Sequence, residues 1–463
     1  MEKVIEAKRP ISFHIIRITL VECLGMLTVI TAFQKTCPSI VAVDMALSYK
    51  VEKHRLGNFA ALYFYPYSVF QIISGLLVDY FDPVWVVTIF GIIASVGSIM
   101  CGFSRNLLEG IIGRVLVGIG TAPVLVGAMK IFRNWFKKNQ VPIASGILMC
   151  HTCIGGVLAG KPLSDFCKSL GWRKSFYCIG GVGAFFSILM VIVARGRPER
   201  HGFAPINEDS KPIVEKSAKE RVTQLFINMW EIVKYPYYWI PVSFVLMNVV
   251  PFINATSLWG GQYLIDILKF TKARQGYAMM AFHIGVFVGS LFLPQICKLL
   301  KKSKYVLLFC GIAESGLLYT IFALGDRLNY ITVLSLFITF GIFTRPNIAI
   351  AYPLLHTYYE PELAGTATGI ANFCTSFTTS ISIQISSFII ARYGHTDSPS
   401  GHVYTWKGYQ YGLWLIHSIE GTLAILFAIF IKDGDSECCK KKRPKLESTM
   451  ESTDSTLTAP LIV

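Results

Sequence analysis

The chain is a succession of apolar blocks, each about 20 residues long, the length at which a helix crosses a hydrocarbon core of ~30 Å. Lipid offers no partner for backbone N–H and C=O groups, so such blocks span as helices. The pattern predicts twelve spans, at 15–37, 57–79, 84–103, 107–131, 140–163, 173–194, 237–259, 275–297, 303–324, 330–353, 364–391 and 411–431. Three polar segments remain. They are an N-terminal tail at 1–14, a basic stretch at 195–236 and a Ser/Thr-rich tail at 432–463 whose composition reads as disordered.

The chain also repeats itself. Ala144-Ser145-Gly146-Ile147 in the fifth span reads like Ala367-Thr368-Gly369-Ile370 in the eleventh. At the same spacing Ala122-Pro123 in the fourth matches Arg345-Pro346 in the tenth. Gly91-Ile92 and Gly97 in the third echo Gly311-Ile312 and Gly316 in the ninth. Three matches in order predict two pseudo-symmetric six-helix bundles, 15–194 and 237–431, joined by the basic stretch. The expected fold class is therefore an all-α membrane protein of 12 transmembrane helices.

Composition agrees: 53% of residues are hydrophobic, only 15% are charged, and mean hydropathy is +0.52. The net charge of +15 would raise nucleic acid as a partner in a soluble protein. Here Lys and Arg fall in excess on the segments sharing a face with the termini, which is how cytoplasmic loops hold topology, and no nucleic acid is expected. Both termini are placed in the cytoplasm, with the plasma membrane favoured over internal membranes. The first apolar block is too long for a signal peptide core and reads as an uncleaved helix. The twelve cysteines are scattered through apolar segments without metal-ligand spacing, although Cys37 and Cys167 share the outer side. No phosphate-binding loop, nucleophile elbow or HExxH pattern occurs, so no cofactor, metal or catalytic residue is expected. Cys438-Cys439 beside Lys440 to Arg443 has the make-up of a lipidation site on a basic membrane surface.

Several segments resemble the major facilitator superfamily. Gly75-Leu76-Leu77-Val78-Asp79-Tyr80-Phe81-Asp82-Pro83 is similar to its signature between the second and third helices. Gly75 and Asp79 fit, while Tyr80, Asp82, Val84 and Trp85 replace the usual basic residues and second glycine. Gly113-Arg114-Val115-Leu116-Val117-Gly118-Ile119-Gly120 resembles its RxxxGxG helix-4 motif, and Gly146, Gly155, Gly156, Gly160 and Pro162 its Gly-rich fifth helix. Tyr63-Phe64-Tyr65-Pro66-Tyr67 is like the branch containing bacterial anion and sugar-acid carriers. The resemblance implies a carrier whose first, fourth, seventh and tenth helices line a central cavity, with gating roles at Gly75 and Asp79.

An ionisable group at the bilayer centre costs about 2.5–3.5 kcal/mol on insertion scales, so it needs a partner or a wet cavity. Four cations are assigned to spans: Arg17, Arg114, Lys130 and Arg345. Arg17 and Lys130 sit near span ends and can snorkel. Arg114 falls on the family's helix-4 arginine, either for coupling or in a pair with Glu22 or Glu109. Arg345, mid-span before a proline, is assigned to an anionic group of the substrate because its planar fork binds carboxylate and phosphate bidentately. Glu22 is the candidate carrier of a coupling proton, with His151 and His283 as relays and Glu314 and Glu420 as structural acids. Thr31, Gln34, Tyr67, Gln71, Asn248, Asn347 and Asn372 complete the polar candidates for the substrate path. The expected function is secondary transport of a small organic solute, by a monomer in the bilayer, with an organic anion and proton coupling as finer expectations. A transporter-like receptor without flux is the alternative.

Overall fold

The computed structural model describes residues 10–432 except 138, 195, 204, 205, 207–217, 360–362, 399 and 400. Among the described residues twelve helices are long and apolar enough to cross a membrane. They are α1 Ile11–Thr36, α2 Lys53–Val78, α3 Pro83–Phe103, α4 Leu107–Trp135, α5 Val141–Leu158, α6 Trp172–Ala194, α7 Pro236–Asp266, α8 Lys272–Leu300, α9 Ser303–Leu324, α10 Tyr330–Leu355, α11 Gly365–Arg392 and α12 Trp406–Phe430. The lipidation candidate and residues 1–9 and 433–463 of the two tails lie outside the described residues, and α1 begins inside the predicted N-terminal tail, at Ile11.

The predicted spans are recovered, with three ends displaced by five residues or more. α5 stops at Leu158, because the chain turns at Ala159-Gly160 and restarts as the short helix Lys161–Leu170. α7 runs on to Asp266 through a wide turn at Ala255–Trp259 that keeps it helical past the predicted end. α12 starts earlier, at Trp406, under the Thr405 cap, which accepts from the Gly408 N–H.

Proline explains the interruptions, since it removes a backbone donor and clashes with the preceding turn. α1 ends before Pro38, and the chain continues as the helix Pro38–Tyr49. α4 bends at Ala122-Pro123. α10 breaks at a tight turn, Arg345–Asn347, entered through Thr344 at φ −107° and ψ −91°. The two proline pairs related by the sequence repeat therefore mark breaks in corresponding helices of the two bundles.

Within each half the helices close on small residues, as expected where lipid removes the hydrophobic drive between helices. A β-carbon on Gly97 would meet the Gly113 carbonyl, and one on Gly120 the α3 backbone at Phe90 and Ala94. In the second half Gly285 and Gly341 bring α8 and α10 together in the same way. The halves meet along two seams, α2 against α11 and α5 against α8. The face on which α1 begins and α12 ends is called the terminal face, and the opposite one the far face. A hairpin, β1 His395–Ser398 paired antiparallel with β2 Gly401–Tyr404, joins α11 to α12 on the far face.

Candidate functional site

Hydrogen bonds between the halves cluster toward the far face. The Lys53 ammonium donates to Asp266 Oδ1 at 2.8 Å, and both side chains are buried, 3% and 0% exposed. The second Asp266 oxygen accepts from the Tyr409 hydroxyl at 2.8 Å and from the Tyr404 N–H at 3.3 Å. Tyr404 in turn accepts from the His54 N–H at 3.0 Å. Burial pushes the Tyr404 phenol up to about 12, so it stays an O–H at physiological pH. Asp266 thereby ties α7, the start of α2 and the β2 hairpin strand together. Around it Gln262 and Gln275 both donate to the Ser39 carbonyl, Lys272 pairs with Asp44 at 2.5 Å, and Thr36 meets His283 at 3.3 Å. Farther along α2 and α11, Ser380 donates to the Ala61 carbonyl at 3.2 Å and Tyr65 to Gln384 at 2.7 Å.

Toward the terminal face the same helices part. A β-carbon built on Gly75 in α2, Gly146 in α5, or Gly365 and Gly369 in α11 meets no atom within 4 Å. The hydrogen bonds described between the halves lie toward the far face.

Arg345 lies near the middle of α10. The tight turn in α10 carries it, and it is half-buried. Its side chain has no hydrogen bond and no ion pair among the described residues, and the neighbouring Pro346 lies where a β-carbon on Gly289 of α8 would strike it. Tyr352 donates to Asn372 at 2.7 Å. Tyr67 stacks on Tyr63 at 5.5 Å and lies under the Lys35 ammonium, 3.9 Å from its ring centre. Gln71 is buried one turn along α2 from Tyr67. Thr31, half-buried one turn before Lys35, spends its hydroxyl on the Leu27 carbonyl at 2.8 Å.

Lys35 is the residue sequence reading missed. It lies inside the predicted first span and in the last turn of α1, yet the reading of span cations passed over it. The usable signal was its place inside the apolar block, four residues after Thr31 and three before the helix-ending Pro38.

Other predicted residues are placed elsewhere. Gln34 is fully buried inside the first half, donating to Ser98 at 2.8 Å and accepting from Arg114 at 3.1 Å, so it is spent on packing and not on the crevice. Arg114 is fully buried as well. It donates to the Phe59 carbonyl at 3.3 Å, and the Phe59 and Tyr63 rings flank its guanidinium at 5.0 and 4.9 Å. Neither acid expected beside it is there. Glu109 accepts from the Arg105 N–H and the Asn106 amide at the start of α4, and Glu22 approaches His151 at 3.4 Å. Asn248 and Asn347 also leave the substrate path. Asn347 donates to Asn248 at 2.9 Å and to the Phe343 carbonyl at 2.7 Å, and Asn248 donates to the buried Glu314. These contacts satisfy the carbonyl freed where α10 breaks and brace the Arg345 turn from behind. Asp82, standing where the family signature has a basic residue, caps α3 by accepting from the Val84 N–H at 2.9 Å and faces Arg200 at 3.8 Å. The Asp79 side chain lies outside the described residues. Cys37 and Cys167 are free thiols.

Twelve membrane-spanning helices in two bundles are the architecture of a multi-pass membrane transporter. The profile of the Major Facilitator Superfamily matches residues 24–383, and the chain belongs to that family. The probable sulfoacetate transporter SauU of Cupriavidus necator is 24% identical over 369 residues, covering 74% of this chain and 80% of the relative. The hexuronate transporter of Bacillus subtilis is 20% identical, covering 79% and 86%. Among solved structures, a D-xylose–proton symporter aligns with TM-score 0.68 at 12% identity, covering 91% of this chain and 99% of its own. A bacterial homologue of the lysosomal transporter spinster, in an inward-facing and unoccupied conformation, aligns with TM-score 0.65 at 14% identity, covering 90% and 96%.

Proposed function

We propose that the chain is a secondary carrier that moves a small organic anion by alternating access, with Arg345 holding an anionic group of the solute. One observation carries this reading: Arg345 lies mid-span at the break of α10, half-buried and without any partner among the described residues. A cation in that position is costly unless an anion or water meets it, and a guanidinium binds carboxylate, sulfonate or phosphate through parallel hydrogen bonds. The names of the two relatives matched over most of their length, a probable sulfoacetate transporter and a hexuronate transporter, support an anionic solute. The open space at Gly75, Gly146, Gly365 and Gly369 supports one of the two states that alternation requires, and the Lys and Arg bias supports a cytoplasmic terminal face. The Glu22–His151 pair, bridging α1 and α5, is the candidate route for a coupling proton.

The test is uptake into proteoliposomes by the purified protein. Organic-anion flux that Arg345→Ala abolishes and Arg345→Lys reduces supports the carrier. Binding without flux supports the receptor reading instead. Uptake indifferent to both substitutions overturns the assignment of Arg345.

A further inference from the structure

We propose that the helix Ala218–Val233, which lies between the two bundles in the chain, docks on the lipid bilayer, resting in the headgroup layer of the leaflet at the terminal face. This rests on the membrane placement of the spans and not on the carrier reading of Arg345. The helix has 16 residues and carries Lys219, Glu220, Arg221 and Glu231, so it is too short and too charged to cross a hydrocarbon core. Its faces are distributed the wrong way round for a helix in water. Val222, Phe226, Ile227, Trp230 and Val233 are exposed, Phe226 at 64% and Trp230 at 67%. Gln224, Asn228 and Glu231 lie half-buried on the inner side, with Leu225, Met229 and the buried Ile232. Gln224 donates to Asn228, one turn along, at 2.9 Å. At 3.6 residues per turn Val222, Phe226, Trp230 and Val233 form one stripe along the helix. A helix on a soluble protein turns such a stripe inward and its amides outward. The reversed order fits an element whose outer side meets lipid.

The height of the helix supports the same partner. Its Ile232 carbonyl accepts from the Tyr359 hydroxyl at 3.2 Å, and its Val233 carbonyl from the Trp239 indole N–H at 2.9 Å. Tyr359 follows the end of α10, and its neighbour Tyr358 donates to the Lys432 carbonyl just past α12. The Lys432 ammonium donates in turn to the Tyr237 hydroxyl at 3.1 Å, in the first turn of α7. The last turn of the helix is therefore tied to the ends of α7 and α10 and lies beside the end of α12, the level at which bilayer gives way to water. Tyr, Trp and Lys gather there, as in the belts that anchor spans at an interface. Lys219 and Lys234, both exposed, flank the apolar stripe and can keep their ammonium groups among the headgroups while the stripe sinks about 5–10 Å toward the acyl chains. The stripe thus continues the lipid-facing surface of the spans. The helix also packs against α2 of one half and α11 of the other, so the lipid contact joins the halves at the end where Gly75 and Gly369 face open space.

The test is spin-label accessibility in the full-length protein, its reactive native cysteines replaced by serine, reconstituted into phosphatidylcholine vesicles. A nitroxide is placed at Phe226→Cys, at Phe185→Cys as the lipid reference and at Glu199→Cys as the water reference. Phe185 is exposed in the middle of α6, and Glu199 is exposed on the turn Pro198–His201. Oxygen collects in the bilayer and a nickel chelate stays in water, so the ratio of their effects reports which medium the label meets. We expect the ratio at Phe226→Cys to lie close to that at Phe185→Cys and well above that at Glu199→Cys. Melting temperatures identify a destabilised variant, and Trp230→Cys or Val222→Cys on the same stripe then gives the reading. A ratio like that at Glu199→Cys overturns the proposal. A label shielded from oxygen and nickel alike also overturns it, because the stripe is then covered by protein, from this chain or a second copy.

Discussion

The two ends of the crevice are built by the same four helices, α2, α5, α8 and α11, yet they differ in every kind of contact. At the far face glycines are pressed against the opposite half. A β-carbon on Gly57 would strike Ser387, one on Gly156 the His283 ring, one on Gly160 the Gly276 carbonyl, and one on Gly261 the Ser39 carbonyl. At the terminal face Gly75, Gly146, Gly365 and Gly369 face empty space. Composition does not separate the ends, since glycine occurs at both. What separates them is the tilt of one half against the other. α2 and α11 run antiparallel, with Gly57 at Ser387 and Ala61 at Ser380, and that register carried toward the terminal face sets Gly75 opposite Gly369. The terminal-face glycines are thus suited to a contact that this arrangement does not make.

The comparison is broken most severely at Asp266. Asp266→Ala leaves Lys53 charged and buried without a partner, and we expect a loss of about 3–5 kcal/mol at the far face, seen as a lower melting temperature and as labelling of a cysteine at Ser39. Restoring an apolar pair, Lys53→Met with Asp266→Leu, should recover most of the stability, because replacing both partners removes the stranded charge. A single variant as stable as the parent would show that the far-face closure does not depend on this pair.

Gly261→Ala comes next. Its β-carbon meets the Ser39 backbone, which cannot step aside, and overpacking of this kind costs about 1–3 kcal/mol. Gly75→Ala and Gly369→Ala should change stability by less than about 0.5 kcal/mol, as substitutions in open space do. If the halves close at the terminal face during transport, the same two variants slow uptake without lowering the melting temperature, and bulkier Gly369→Leu slows it further. Stable variants with undiminished uptake would mean that these glycines never meet.

The smallest effect is expected away from both ends, at the part-exposed Glu22–His151 pair. Glu22→Gln should leave stability within about 0.5 kcal/mol, since exposed ion pairs contribute little. Its readout is accumulation driven by a pH gradient, which should disappear while substrate exchange persists. Accumulation equal to that of the parent would remove Glu22 from any proton path.

The spans were legible because burial in lipid demands long apolar blocks, and the breaks in α4 and α10 because proline cannot continue a helix. The polar residues of the site were legible only as a set. Gln34, Asn248 and Asn347 had the right chemistry on the right helices, and the fold spends them on Arg114, Glu314 and the Phe343 carbonyl. One helical sequence does not say which of its faces meets a neighbour and which meets water, and in a bundle every face meets something.

By itself, then, the sequence determined the twelve helices, their division into two related halves and the cation placed at a helix break, because backbone hydrogen bonding in lipid and proline geometry act locally along the chain. The tertiary structure alone decided which residues of the two halves meet toward the far face and which buried amides serve packing. Those outcomes depend on how two rigid bundles tilt against each other, and no local rule encodes a tilt.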